Sequence, residues 1–289
     1  MPADPDARRN AFRPDLADVR LRGRVEAERF VAGDLRRVVT PIAPLRRRPA
    51  ADAPLETELL MGERVRVFEE AGDGWCWVQA EADFYVGYLP ASSLGADDAP
   101  PPTARVAVPR TLVFPGPDIK RPPLGALPMA ALVTVTGAAS DHNADYAELA
   151  SGGHVVRQHL AALDVFQSDF VAVAERFLGV PYLWGGKSAL GIDCSGLVQL
   201  ALQMSGVAAP RDTDMQEREL GTRLAGIEGL QRGDLVFWKG HVGIMLDGQL
   251  LLHANAHHMM TAIEPLQAAV ERLAARGAPV TSIRRLRAG

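Results

Sequence analysis

A pattern that occurs twice between about residues 40 and 165 constrains this chain more than any other feature. Leu59-Leu60-Met61-Gly62-Glu63-Arg64-Val65-Arg66-Val67 recurs as Leu127-Pro128-Met129-Ala130-Ala131-Leu132-Val133-Thr134-Val135, at an offset of 68, with leucine, methionine and both valines kept. A second echo aligns Tyr85-Val86 through Leu94 with His154-Val155 through Leu163, at an offset of 69. Repetition at a fixed period marks one supersecondary unit used twice. Both copies consist of short alternating runs punctuated by turn formers, Gly72-Asp73-Gly74, Ala82-Asp83 and Ser151-Gly152-Gly153, the pattern of strands joined by tight turns. The expectation is two small β-barrels of about 60 residues each.

Between the copies, Ala96-Asp97-Asp98-Ala99-Pro100-Pro101-Pro102-Thr103 is too rich in proline for a strand and reads as a short, stiff spacer. The expected division is an N-terminal extension over 1–35, a first barrel over 36–97, a second over 104–164 and a C-terminal domain over 165–289. A chain of 289 residues, 47% hydrophobic and 23% charged, has the composition of a soluble globular protein of two or three domains. Its net charge of −4 argues against nonspecific binding to nucleic acid. Arg8, Arg9, Arg13, Arg20, Arg22 and Arg24 are spread among acids in the extension. No apolar core follows Met1 and no run approaches the ~20 residues of a membrane span, so the expectation is a cytoplasmic chain with no membrane partner. Two cysteines far apart, Cys76 and Cys194, require no disulfide framework, and Cys76 between Trp75 and Trp77 reads as packing.

The chemistry concentrates in the C-terminal domain. Ser168 is expected to cap a helix with apolar positions 170, 173, 174 and 177, stopped by Gly179 and Pro181. Then Asp193-Cys194-Ser195-Gly196 precedes the apolar run Leu197, Val198, Leu200, Ala201, Leu202. An aspartate in front of such a run is a favoured N-cap, which makes Cys194 the first helical residue. Free N–H groups and the helix dipole favour negative charge there, so a thiolate is expected to form more easily than in water.

Downstream, Gly233–Trp238, His241–Met245 and Gln249–His253 read as a three-stranded meander. A two-residue Asp247-Gly248 turn would put His241 and His253 on opposite faces. A three-residue loop of Leu246, Asp247 and Gly248, with the glycine left-handed, would pair 241 directly with 253 on one face, about 5 Å apart. The second arrangement is expected, with His253 orienting His241 as the base for Cys194.

Tyr182-x-Trp184-Gly-Gly, Asp193-Cys194-Ser195-Gly196, Gly240-His241-Val242-Gly243-Ile244 and His253-Ala254, in this order, resemble the NlpC family of papain-like bacterial cell-wall peptidases, over roughly residues 165 to 287. The first repeat, with Gly62-Glu63, Asp73-Gly74-Trp75, Trp77-Val78 and Tyr85-Val86-Gly87-Tyr88-Leu89, resembles a bacterial SH3-like domain. The second lacks the tryptophan and the Gly-Tyr step and joins it through the repeat alone. The implied fold is α+β: a papain-like cysteine peptidase domain preceded by two SH3-like barrels. The implied activity is hydrolysis of the γ-D-glutamyl-L-diamino acid bond of murein peptides, without a cofactor. Cys194 takes the nucleophile's place, His241 the base's and His253 the orienter's.

The resemblance also names substrate-binding candidates. Tyr182 lines the cleft, with Trp184 beside it, and either has core packing as an alternative. Asp193 and Ser195 would grip the free α-amine of an L-alanine, beyond their duties in the first helical turn. An acid of the first barrel, Glu63 ahead of Glu58 and Asp83, would close that end, unless each is a solvated surface charge. Arg211 would pair with a peptide carboxylate, or with Asp212 or Asp214. His253, His257 and His258 contain an i, i+4 pair of the kind that holds zinc on a helix, but no acidic base lies between them. His257 and His258 are therefore assigned to a loop, and no metal is expected. Two rival functions follow from the same residues: a non-catalytic wall-binding protein, or an amidase or acyltransferase on this scaffold.

Overall fold

A computed structural model describes residues 5–286, which divide into two compact units, one up to Asp164 and one from Val165. In the first barrel, seven strands follow the order Leu55–Leu60, Ile42–Arg46, Val86–Pro90, Trp75–Ala80, Arg64–Ala71, Asp34–Val38, Leu94–Ala96. Alternation sends Val65, Val67, Cys76 and Val78 inward to meet Ala43, Leu45, Leu59 and Leu89. Cys76 is thus a core residue of this barrel.

The outward partners, Phe68 and Trp77, are covered by the N-terminal segment. Ala11 and Leu16 pack on them, and the Arg13 guanidinium lies 4.3 Å over the Trp77 ring. Arg13 also donates to Tyr88 Oη and Glu69 Oε2, at 2.9 and 2.7 Å. The extension therefore folds onto the first barrel.

The second copy builds a three-stranded sheet, Leu132–Val133, Ala104–Val106, Leu160–Ala162, and a five-stranded sheet of Gly125–Pro128, Arg110–Phe114, His154–Val156, Asp145–Leu149 and Val135–Ser140. Its kinship with the first is plainest in the backbone. Gly62 N–H donates to Val38 O and Met61 N–H to Pro41 O. Ala130 N–H donates to Val106 O and Met129 N–H to Pro109 O, each bond shifted by 68. Gly62 has φ +84° and Ala130 φ +68°, so the second copy keeps a left-handed turn that a Cβ disfavours. The second echo needs correction. The one-turn helices Ala91–Ser93 and Arg157–His159, and the strands that follow them, correspond at an offset of 66 rather than 69. Leu94 therefore matches Leu160, because the loops between the conserved turns differ in length.

In the second unit the helices are α1 (Phe170–Glu175), α2 (Cys194–Met204), α3 (Thr213–Glu219) and α4 (Leu266–Ala274). The strands of its large sheet are β1 (Thr222–Arg223), β2 (Leu235–Trp238), β3 (His241–Met245), β4 (Leu250–Asn255), β5 (Met260–Pro265) and β6 (Val280–Arg285). They form one antiparallel sheet in the order β1-β6-β2-β3-β4-β5, with the expected meander at its centre. Leu266 and Ala269 of α4 bury Val236, Trp238, Met245, Leu251 and Ile283. The cap of α1 is Asp169, one residue after Ser168, and it accepts from the N–H groups of Val171 and Ala172.

The β3–β4 hairpin departs from the expected loop. Asp247, Gly248 and Gln249 form the three-residue connection, closed by Leu246 N–H to Leu250 O, and Gly248 is not left-handed. The turn is set by the Asp247 carboxylate, which accepts from the N–H groups of Gln249 and Leu250 at 2.7 and 2.8 Å. The register is Ile244 with Leu252 and Met245 with Leu251. Carried along both strands, it puts Gly243, not His241, opposite His253. A slip of two residues preserves the face, so the two histidines remain same-face diagonal neighbours.

Candidate active site

Asp193 builds the start of α2. Its Oδ1 accepts from Gly196 N–H at 2.7 Å, the bond of an N-cap, and its Oδ2 accepts from Gly185 N–H at 2.8 Å. Arg211, its side chain 1% exposed, lays its guanidinium fork on both oxygens at 3.0 and 2.7 Å and donates to Ser195 Oγ at 2.8 Å. Arg211 thus turns to Asp193, and Asp214 pairs with Arg218. This buried arginine is framework; it is not presented to a peptide carboxylate. Gly196 is required by close approach, since a Cβ there would lie 2.4 Å from Gly186 O.

Cys194 follows directly and is 5% exposed. Its Sγ lies 3.8 Å from Thr213 Oγ1, and the backbone N–H of Val242 is placed to donate to the thiolate. Those donors do not prevail. Burial, with the charge of Asp193 behind it, pushes the thiol up to about 11. The expectation of an easily formed thiolate is therefore reversed, because the first turn of the helix is dry and already beside a carboxylate.

Val242 at the sulfur brings the start of β3 to the start of α2, and His241 is the residue before it. His241 Nε2 and His253 Nδ1 are 2.8 Å apart, which leaves His241 Nδ1 as the nitrogen not engaged with His253. His253, 1% exposed, meets Glu264 Oε1 through its Nε2 at 2.7 Å. Arg272 of α4 donates to both Glu264 oxygens, at 2.6 and 2.5 Å. Burial lowers His241 to about 3 and His253 to about 4, while the guanidinium and His253 hold Glu264 at about 2. Both imidazoles are neutral at pH 7, and the carboxylate is ionised.

Glu264 was missed from sequence. Ala262 of β5 pairs with His253, so Glu264, two residues on, shares its face. An acid at that spacing was the available signal, but reading it required a pairing that the sequence does not state.

Tyr182 anchors its N–H on Met259 O, and its phenol is raised above its ordinary range by burial, then by charge on Cys194 and Asp193. It is therefore a neutral hydrogen-bond donor near the sulfur. Trp184 is 63% exposed, so core packing does not account for it. In the first unit Glu63 is buried at a turn, where its Oε2 accepts from Leu60 N–H at 2.9 Å; Glu58 is buried on its strand, and Asp83 Oδ1 accepts from Tyr85 N–H. His257 and His258 lie in the β4–β5 turn, where His258 meets Asn255 Oδ1. His253, His258 and Glu264 bring ligating atoms within 4.8 Å of one another, but Arg272 already occupies the carboxylate with a positive charge that opposes a cation.

A buried cysteine opening a helix, beside a sheet that carries a histidine relay, defines a papain-like cysteine peptidase. Comparison with known proteins matches two domains. Residues 179–272 match the NlpC/P60 family, and residues 45–94 match the bacterial dipeptidyl-peptidase Sh3 domain. The chain carries an SH3 domain and an NlpC/P60 cysteine peptidase domain. It is 29% identical to dipeptidyl-peptidase 6 of Lysinibacillus sphaericus, over 75% of this chain and 86% of that one. It is 28% identical to a gamma-D-glutamyl-L-lysine dipeptidyl-peptidase of Bacillus cereus, over 73% and 71%. The crystal structure of an NlpC/P60 family protein from Bacillus cereus shares the fold, with a TM-score of 0.71 and 22% identity over 87% of this chain and 99% of that one.

Two outcomes follow. Arg211→Met strands the Asp193 carboxylate in a dry site and should cost about 3 kcal/mol or more in denaturant unfolding of the C-terminal unit; a loss below about 1 kcal/mol would show that the pair does not hold the helix start. The second concerns pH. With both histidines lowered, the acidic limb of kcat/KM should fall below pH 5, well under the ordinary histidine value of about 6.5. Stability should decline as pH falls from about 6.5, where the unfolded histidines begin to protonate, toward the folded values of about 3 and about 4. A limb centred near 6.5 would contradict the buried neutral pair.

Proposed function

We propose that this protein hydrolyses the γ-D-glutamyl-L-diamino acid bond of free murein peptides, releasing a dipeptide that begins with L-alanine. The observation that carries the reading is Cys194 at the start of α2, with Val242 at its sulfur and the His241–His253 pair beginning one residue earlier. Cys194 Sγ attacks the glutamyl carbonyl carbon while its proton passes to His241. Backbone N–H groups at the helix start, with the neutral Tyr182 phenol, receive the oxyanion. His241 then protonates the leaving amine, and a water that gives its proton to the same imidazole hydrolyses the thioester, restoring the thiol.

Relatives named dipeptidyl-peptidases support cleavage counted from an amine end. In this proposal the ammonium is received by Asp193 and Ser195. Asp193 already holds Arg211, so part of its charge is spoken for, and a second carboxylate would balance the ammonium. Recycling of soluble wall peptides in the cytoplasm, rather than digestion of the wall, belongs to the same reading.

The test uses L-Ala-γ-D-Glu-diaminopimelate and its N-acetylated form, followed by mass spectrometry, with intact sacculi as a third substrate. Cleavage of the free-amine peptide alone is expected. Equal cleavage of the acetylated peptide would refute the amine pocket, and equal digestion of sacculi would refute the soluble-peptide reading. Failure to cleave any of the three would sink the assignment.

A further inference from the structure

Resting on the assignment of Cys194, His241 and His253 above, we infer that Glu264 and Arg272 are positioning residues that lock the two imidazoles in the tautomers the reaction requires. The argument runs along the hydrogen bonds. Arg272 has no acceptor, and its two N–H groups occupy both Glu264 oxygens, so the carboxylate is kept ionised and can only accept. Facing it at 2.7 Å, His253 Nε2 must carry the hydrogen. In a neutral imidazole the other nitrogen is then bare, so His253 Nδ1 can only accept. The atom 2.8 Å from it, His241 Nε2, must therefore carry a hydrogen of its own. His241 Nδ1 is left with a free lone pair, the state a base needs before it can take a proton from Cys194.

Without the carboxylate the chain of dependence has no fixed end. Two neutral imidazoles joined by one hydrogen bond are satisfied equally well in the opposite sense, with His253 Nδ1 donating to His241 Nε2. His241 then carries its hydrogen on Nδ1 and cannot act as the base. Glu264 breaks this symmetry, and Arg272 from α4 makes Glu264 unable to donate. The inference adds two members to the relay, one on β5 and one on α4, that touch neither substrate nor sulfur. It also accounts for a buried glutamate that packing alone would disfavour.

In Glu264→Gln one oxygen is replaced by an NH₂ group, which at the Oε1 position faces both Arg272 and His253 and at the Oε2 position faces Arg272. Facing His253, it donates to Nε2 and reverses both tautomers. The expected result is a fall in kcat of about 100-fold or more, the scale of losing a correctly protonated base, with KM within about threefold of wild type. A wild-type kcat in a variant whose melting temperature is unchanged would overturn the inference. Should that variant not fold, the wild-type protein still decides. Long-range ¹H–¹⁵N spectra at pH 7 should show His241 and His253 both protonated at Nε2 and bare at Nδ1, and a hydrogen on His241 Nδ1 would overturn the inference. Failure of the underlying assignment is read separately. Cys194→Ala or His241→Ala retaining hydrolysis would remove the catalytic reading while leaving the tautomers to be measured on their own.

Discussion

The buried pair of Asp193 and Arg211 holds the active centre of this protein in place. Two carboxylate oxygens receive the guanidinium fork, the amide of Gly185 from the preceding loop and the amide of Gly196 from the first turn of the helix. Cys194, between cap and turn, has its backbone direction set by these bonds. Such a pair is costly to bury and contributes little net stability over an apolar equivalent, but either partner alone would be an uncompensated charge. What it supplies is geometry, a helix start fixed from three directions. Gly196 lets the helix approach the loop at Gly186 to a distance no side chain would permit.

The same dry environment decides how the chemistry runs. A helix terminus stabilises a nearby anion by about 0.3–1 kcal/mol, less than one pK unit, and burial of Cys194 beside Asp193 outweighs it. Burial works on the imidazoles in the opposite sense and keeps them uncharged. The resting centre is therefore a neutral thiol and a neutral base, with proton transfer coupled to attack on the substrate. That makes orientation and tautomer of the base matter more than standing charge. A relay ending on a carboxylate fits this need.

Much of this was legible in the residues themselves. The repeat, the spacer, the cysteine helix and the meander all follow from periodicity and turn chemistry. The Met61-Gly62 and Met129-Ala130 echo marks one backbone turn, even though the second copy puts a Cβ where φ is positive. Long-range pairing was hidden. The hairpin register depended on which residue of Leu246-Asp247-Gly248-Gln249 would seize the turn amides, and Asp247 moved the pairing by two. Arg211 was ambiguous because its sequence neighbours are acids, whereas its partner lies 18 residues away. Glu264 and Arg272 were invisible for the same reason, since each acts only through an element folded against another.

The account's central claim is that Cys194 forms a covalent bond to the acyl half of the substrate. Rapidly quenched turnover of L-Ala-γ-D-Glu-diaminopimelate, followed by peptide mass spectrometry, tests it most directly. The account predicts the mass of an L-Ala-γ-D-Glu acyl group on the peptide that contains Cys194, and neither adduct nor hydrolysis in Cys194→Ala. Hydrolysis at the wild-type rate by Cys194→Ala would contradict it.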